Sequence, residues 1–159
     1  MKAASVKDLK IALKECSSAQ LVEHCLSLAK FKVECKELLT YLLFEADNEA
    51  AYVEEVKHVI TTQFEEIGTS NYYYIKKSVR KILRNIKKYI RYSKQKETAT
   101  ELLLHFCTEL KTNYPDMERS AAMQNIFTRQ ILLLQKTMTS LHEDLQYDYQ
   151  QELNELLIS

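Results

Sequence analysis

Glycine and proline are almost absent from this sequence, which has one of each, Gly68 and Pro115, among 159 residues. Average usage predicts roughly 11 glycines and 8 prolines in a chain of this length. Sandwiches, barrels and propellers place these residues at their turns, so the composition excludes those β architectures. Apolar residues make up 46% of the chain and charged residues 28%, which is enough apolar side chain to bury a core. We therefore predict an all-α protein.

Helix-capping residues recur along the chain at intervals of one short helix. The start signals are Ser5, the pair Ser17 and Gln20, Asn48, Ser70 or Asn71, and the pair Thr98 and Glu101. They predict helices over residues 6–15, 18–29, 32–46, 49–67, 71–93, 98–112, 115–139 and 141–157. Connections of two to five residues predict mostly antiparallel neighbours, and no linker divides the chain, so we expect one domain over residues 1–159.

The two structure-breaking residues also have predicted places at helix ends. Gly68 suits the left-handed residue that ends helix 49–67, and Pro115 suits the first turn of helix 115–139. Two boundaries are less defined. We favour a break between helices 18–29 and 32–46, although they could be continuous. Continuity between 115–139 and 141–157 stays open, because an apolar stripe runs through a possible cap at Ser140.

Two predicted helices have an apolar surface that is wider than a single stripe along the helix. Helix 32–46 contains seven large apolar residues, and helix 98–112 contains Leu102, Leu103, Leu104, Phe106, Cys107 and Leu110. A helix of this kind is expected in the interior rather than at the surface. We therefore expect both helices to be central and the most buried.

Short antiparallel helices joined by short loops give the chain a resemblance to HEAT and armadillo helical-repeat proteins. This resemblance implies a right-handed α-α superhelix that binds protein or nucleic acid on one curved face. A plain helical bundle is the alternative architecture. The segment YYYIKKSVRKILRNIKKYIRYS is also similar to an uncharacterised family of bacterial all-helical proteins, from which no function follows.

Charge is segregated along the chain although its net value is zero. Ten basic residues and no acidic residue lie between Lys76 and Lys96, so the rest of the chain carries a net charge of −10. At 100° per residue, the apolar residues of helix 71–93 fall on one face and the basic residues on the other. The candidate anion-binding residues on the basic face are Tyr73, Lys77, Arg80, Lys81, Arg84, Lys87, Lys88 and Arg91.

Three interpretations of this basic face stay open. In the first, the face is solvated or paired within the fold, since the preceding helix carries Glu54 and Glu55. In the second it binds an acidic protein partner, and in the third it binds nucleic acid. Repulsion between like charges one turn apart costs helix stability, which an anionic partner would relieve. For nucleic acid, a helix of roughly 34 Å could follow several phosphates and Tyr73 could stack on a base.

The four cysteines indicate location rather than chemistry. Cys16, Cys25, Cys35 and Cys107 accompany no signal sequence and no apolar run of the roughly 20 residues that a membrane span needs. We therefore expect a cytoplasmic protein with free, buried thiols and no membrane partner. No close cysteine pair suggests zinc.

The sequence contains no complete catalytic or metal-binding motif. Glu55 and His58 form a single Glu-x-x-His, whereas di-iron bundles need two such motifs. His105 lies among leucines and is expected to be a core histidine bonded to a neighbour. We expect no catalytic residue, cofactor or metal, and predict a non-enzymatic scaffold or protein-interaction module, with nucleic-acid binding through helix 71–93 as the alternative. The partner's identity and the oligomeric state do not follow from the sequence.

Overall fold

The computed structural model describes residues 1–158, which form eight α-helices and no strand. The helices are α1 (Val6–Lys14), α2 (Ser18–Phe31), α3 (Val33–Thr40), α4 (Glu49–Glu65), α5 (Tyr72–Ser93), α6 (Lys96–Asn113), α7 (Ala121–Met138) and α8 (Glu143–Ile158). A π-helical turn, Tyr41–Glu45, continues α3, and a 3-10 turn, Met117–Arg119, precedes α7. The predicted all-α class with seven or eight helices is confirmed. The HEAT-like superhelix and the single domain over residues 1–159 stay predictions.

Most of the predicted caps are present. The Asp8 N–H donates to the Ser5 hydroxyl at 3.2 Å, and the Ala51 N–H donates to the Asn48 side chain at 3.3 Å. Ser17 and Gln20 form the reciprocal capping box at the start of α2. Of the two candidates for α5, Asn71 is the cap. These satisfied N–H groups are why the starts of the first, second, fourth and fifth helices could be predicted.

The predicted cap at Thr98 was wrong. Helix α6 begins at Lys96, so Thr98 lies inside its first turn. The Thr98 hydroxyl donates to the Glu49 carboxylate, as does the Ser93 hydroxyl. The Glu49 carboxylate at the start of α4 therefore accepts hydrogen bonds from both sides of the α5–α6 connection.

The predicted roles of Gly68 and Pro115 were also wrong. Helix α4 ends at Glu65 with a right-handed residue after it, and Gly68 does not have a positive φ. The left-handed residue is instead Lys94, with φ of 60°, which ends α5. Pro115 lies in the turn after α6, where the Met117 N–H donates to the Tyr114 carbonyl at 3.0 Å. This turn and the 3-10 turn delay the start of α7 to Ala121.

Both uncertain boundaries are breaks. Lys32 between α2 and α3 has an extended backbone, with φ of −144° and ψ of 147°, as predicted. Helix α7 ends at Met138 and α8 begins at Glu143, so the apolar stripe through this region belongs to two helices.

Backbone contacts divide the chain into an N-terminal unit, residues 1–44, and a C-terminal unit, residues 45–159. In the C-terminal unit, α6 packs against α4, α5, α7 and α8. Nine of its residues are buried, so the prediction that helix 98–112 is central is confirmed. Every buried apolar side chain of residues 1–158 apart from Tyr41 lies in this unit.

The N-terminal unit is built differently, and the prediction that helix 32–46 is buried was wrong. Helix α3 has no buried residue, and Tyr41 is the one buried residue of the π-helical turn that follows. Leu43 and Phe44 are 63% and 74% exposed. An apolar helix is buried only where another element covers it, and within this unit α2 is the helix that packs along α3.

Candidate anion-binding surface

The basic helix α5 is a long, strongly amphipathic helix. Its start is fixed by the Tyr73 N–H, which donates to the Asn71 side chain at 2.9 Å, and its end by the left-handed Lys94. Ile75, Val79 and Ile86 are at most 2% exposed and pack into the C-terminal unit. The predicted apolar face is therefore confirmed, and it orients the opposite face of the helix outward.

All the candidate residues lie on α5. We call seven of them the cationic face: Lys77, Arg80, Lys81, Arg84, Lys87, Lys88 and Arg91. Six are exposed and Lys88 is half-buried. Lys77 and Arg91 are 14 residues apart, so the cationic face extends about 21 Å along the helix axis.

Most of these cations have no acidic partner within the described residues. Over residues 1–158, no carboxylate lies within 4.0 Å of the charged groups of Arg80, Lys81, Arg84, Lys87 or Arg91. On the preceding helix, Glu54 instead pairs with Lys57 at 2.8 Å. Internal pairing therefore does not account for these five charges.

Tyr73 lies at the N-terminal end of the cationic face. Its side chain is 54% exposed, and the Lys77 ammonium lies 4.4 Å from its ring centroid. The Lys77 ammonium also lies 5.8 Å from the ring centroid of Tyr74, and the Tyr73 and Tyr74 rings form a T-shaped pair with centroids 5.3 Å apart. An aromatic surface and an ammonium are thus adjacent, a combination that suits an anion attached to a flat ring.

An open groove of about 700 Å³ lies at the other end of α5. It is lined by Lys87, Ile90, Arg91, Lys94, Gln95, Lys96, Ala99, Leu103, Leu133 and Thr137. Four of these residues are cationic, four are apolar and none is acidic. We call this the basic groove, and it shares Lys87 and Arg91 with the cationic face.

Sequence reasoning did not find the basic groove. Lys94 and Lys96 were visible as the end of the basic run, which was the available signal. The apolar floor needs Leu103 from α6 and Leu133 from α7, and only the fold brings these residues beside α5. The Leu133 side chain is 37% exposed in the structure, but in the sequence it is indistinguishable from the other apolar residues of its helix.

A second polar cluster joins α4 to α6. Lys57 contacts Glu101 at 2.7 Å and Glu54 at 2.8 Å, and these hydrogen bonds raise the pKa of Lys57 although burial alone would lower it. The Thr61 hydroxyl donates to Glu109 at 2.8 Å and lies 2.9 Å from the His105 ring nitrogen Nε2. The ammonium is thus neutralised and the hydroxyl is paired, so this cluster connects two helices rather than leaving a reactive group free.

His105 is hydrogen-bonded to a neighbour as predicted, but it is half-buried, with 25% of its side chain exposed, so its expected core position was wrong. Its Nε2 lies 3.2 Å from the Lys57 carbonyl, which can only accept a hydrogen bond, so Nε2 carries the proton. Burial lowers the pKa of His105, and this effect exceeds the opposing effect of Glu109. Burial therefore favours the neutral ring, although Glu109 and the Lys57 carbonyl both favour the protonated one.

Metal-ligating and thiol groups are dispersed. Within residues 1–158, no three His, Cys, Asp or Glu side chains are grouped so that they could hold a metal ion, and Glu55 and His58 are both exposed. The four cysteine thiols are free, but Cys107 alone is buried, so the expectation that all four are buried was wrong. Burial raises the pKa of Cys107 to about 12, which makes this thiol unreactive.

Comparison with known proteins gives no match, whether with family models, curated proteins or solved structures. In the part of the chain that the structure describes, no helix is both long and apolar enough to cross a membrane.

Proposed function

We propose that this chain is a non-enzymatic helical scaffold of the cytoplasm that binds an acidic surface of a protein partner. The observation that carries the proposal is the cationic face of α5, where Arg80, Lys81, Arg84, Lys87 and Arg91 lack acidic partners within residues 1–158. Like charges one turn apart repel, so the unbound protein carries a cost that carboxylates of a partner would remove. The free thiols support the cytoplasmic location.

The helix packing supports a HEAT-like arrangement of the C-terminal unit. Each helix from α4 to α8 contacts the next one along the chain, and α4 contacts α6 as α6 contacts α8. Contacts between nearest and next-nearest helices are typical of stacked helical repeats, which present extended binding surfaces. In this proposal α6 is the inner helix and α5 presents the binding face.

Nucleic-acid binding is the second candidate function. It is favoured by Tyr73, which is exposed beside Lys77 at the end of the cationic face. A single-stranded nucleic acid would place phosphates along the cations and stack a base on this ring.

Fluorescence anisotropy with labelled poly-glutamate and labelled oligouridylate tests both candidates. The test variant is Arg80→Gln/Arg84→Gln/Lys87→Gln, and the matched control is Lys7→Gln/Lys10→Gln/Lys14→Gln, which removes three exposed charges from the first helix. We expect poly-glutamate to bind the wild type, the test variant to bind about tenfold or more weakly, and the control to bind as the wild type does.

Two results would overturn the proposed binding of an acidic protein partner. If oligouridylate binds more tightly than poly-glutamate, weakens steeply as salt rises from about 50 to 200 mM and depends on Tyr73, then the nucleic-acid function replaces the protein-binding one. If neither polymer distinguishes the test variant from the control, then the cationic face is a solvated surface and both candidates fail.

A further inference from the structure

We infer that the protein partner presents an acidic amphipathic helix and that the basic groove receives an apolar side chain of that helix. This inference rests on the proposed function, because it identifies the class of partner for the same surface. The groove has an apolar floor and a cationic rim. The segment that fits it therefore has an apolar side chain for the floor and carboxylate side chains next to it for the rim.

The floor of the basic groove is apolar and open. Two of its apolar lining residues are Leu103, which is 1% exposed, and Leu133, which is 37% exposed. The groove volume of about 700 Å³ is large enough for a leucine or phenylalanine side chain with room to spare. An apolar side chain entering here would cover surface that water now contacts.

The rim of the groove selects for negative charge. Lys87 and Arg91 come from α5, Lys94 from the connection after it and Lys96 from the start of α6. No acidic residue lines the groove, so a carboxylate at this rim meets attraction from every charged side chain.

The length of the charged surface distinguishes a helix from a smaller ligand. The cations continue from Arg80 to Lys94, which is about 21 Å of helix axis, and end at the groove. A fatty acid or a single lipid headgroup would occupy the groove alone and leave Arg80 and Arg84 without a partner. A nucleic acid would reach the whole length but has no aliphatic side chain for the floor. An acidic helix of about 14 residues spans this distance and supplies an apolar anchor at the groove.

Three synthetic peptides test this inference with the full-length protein. The first is an acidic amphipathic helix with one leucine anchor on a face otherwise of alanine, the second replaces that leucine with alanine, and the third has the first peptide's composition in a scrambled, non-amphipathic order. Binding of each peptide is measured by isothermal titration calorimetry. We expect the first peptide to bind about tenfold or more tightly than the other two, because the anchor buries a leucine side chain.

Protein variants locate the anchor. Leu133→Asn should remove the preference for the leucine peptide, whereas Leu132→Asn, at a neighbouring side chain that is 61% exposed and does not line the groove, should retain it. Thr137→Gln, which places a longer polar side chain at the groove, is the second test if Leu133→Asn unfolds. Circular dichroism of each variant checks that the fold is retained.

The possible failures are distinguishable. If the three peptides bind equally while poly-glutamate binding still depends on Arg80, Arg84 and Lys87, the proposed function holds and the inferred use of the groove is wrong. If sodium dodecanoate binds in a manner that depends on Leu133 and the leucine peptide does not displace it, the groove is a site for alkyl anions and the inference is also overturned. If the wild-type protein does not bind poly-glutamate at all, the proposed function itself is contradicted.

Discussion

Neutralising three bases on the cationic face should stabilise the unbound protein. The substitutions Arg80→Gln, Arg84→Gln and Lys87→Gln remove seven like-charge pairs at spacings of three or four residues on α5. Each such pair destabilises a helix by about 0.2–0.5 kcal/mol, so the seven together cost about 1.5–3.5 kcal/mol before screening. The side chains are exposed, and at physiological ionic strength screening reduces the gain to about 1 kcal/mol. Glutamine has nearly the helix propensity of arginine and lysine, so no opposing loss is expected.

Thermal unfolding followed by circular dichroism measures this gain. For a unit of this size, about 1 kcal/mol corresponds to a rise in Tm of about 3–5 °C. The control Arg80→Lys/Arg84→Lys/Lys87→Arg keeps every charge and should leave Tm unchanged, and high salt should shrink the difference between the glutamine variant and the wild type. A lower Tm for the glutamine variant would show that the three bases form stabilising ion pairs within the fold, and the reason for assigning them to a partner would be lost.

Four further outcomes are expected. Leu102→Ala, at a fully buried position of α6, should destabilise the protein by about 2–5 kcal/mol in urea unfolding, and a loss below about 1 kcal/mol would contradict the central position of α6. The pKa of His105 is lower in the folded state than its ordinary value of 6.5, so the folded state binds the proton less well than the unfolded state does. The free energy of unfolding should therefore fall as pH drops below about 6.5. His105→Gln should remove that part of the pH dependence in parallel urea titrations. Iodoacetamide should label three thiols of the native protein quickly and Cys107 only after unfolding, as mass spectrometry would show. Deletion of residues 1–44 should leave a cooperative unfolding transition, because the buried apolar core of residues 1–158 lies in the C-terminal unit apart from Tyr41; a non-cooperative melt would refute this.

Helix α5 shows how much of the fold the sequence could predict. Its start follows from the cap at Asn71, and both of its faces follow from the helical spacing that separates Ile75, Val79 and Ile86 from the bases. The burial of α6 could also be predicted, since an apolar surface that broad is buried wherever neighbouring helices are available. In the structure, the helices that contact it are α4, α5, α7 and α8.

Three of the errors arose where residues distant in the sequence decide the outcome. Predicted helix 32–46, which forms α3 and the π-helical turn, has a similarly apolar sequence. Its burial depends on which elements cover it, and periodicity within one helix does not carry that information. Thr98 was predicted to cap α6, but the helix begins two residues earlier, and the Thr98 hydroxyl donates to Glu49 of another helix. The basic groove was missed for the same reason, because its floor combines Leu103 with Leu133 across two helices.

Nitrogen-15 and proton chemical-shift mapping with unlabelled poly-glutamate tests most directly whether the cationic face is the binding surface. We expect the largest shifts at the backbone amides between Arg80 and Lys96, and little change in residues 1–44. The same titration of the Arg80→Gln/Arg84→Gln/Lys87→Gln variant should give no saturable shifts. Shifts concentrated on the lysines of the N-terminal unit, or of equal size in the variant, would contradict the assignment of α5 as the surface that binds an acidic partner.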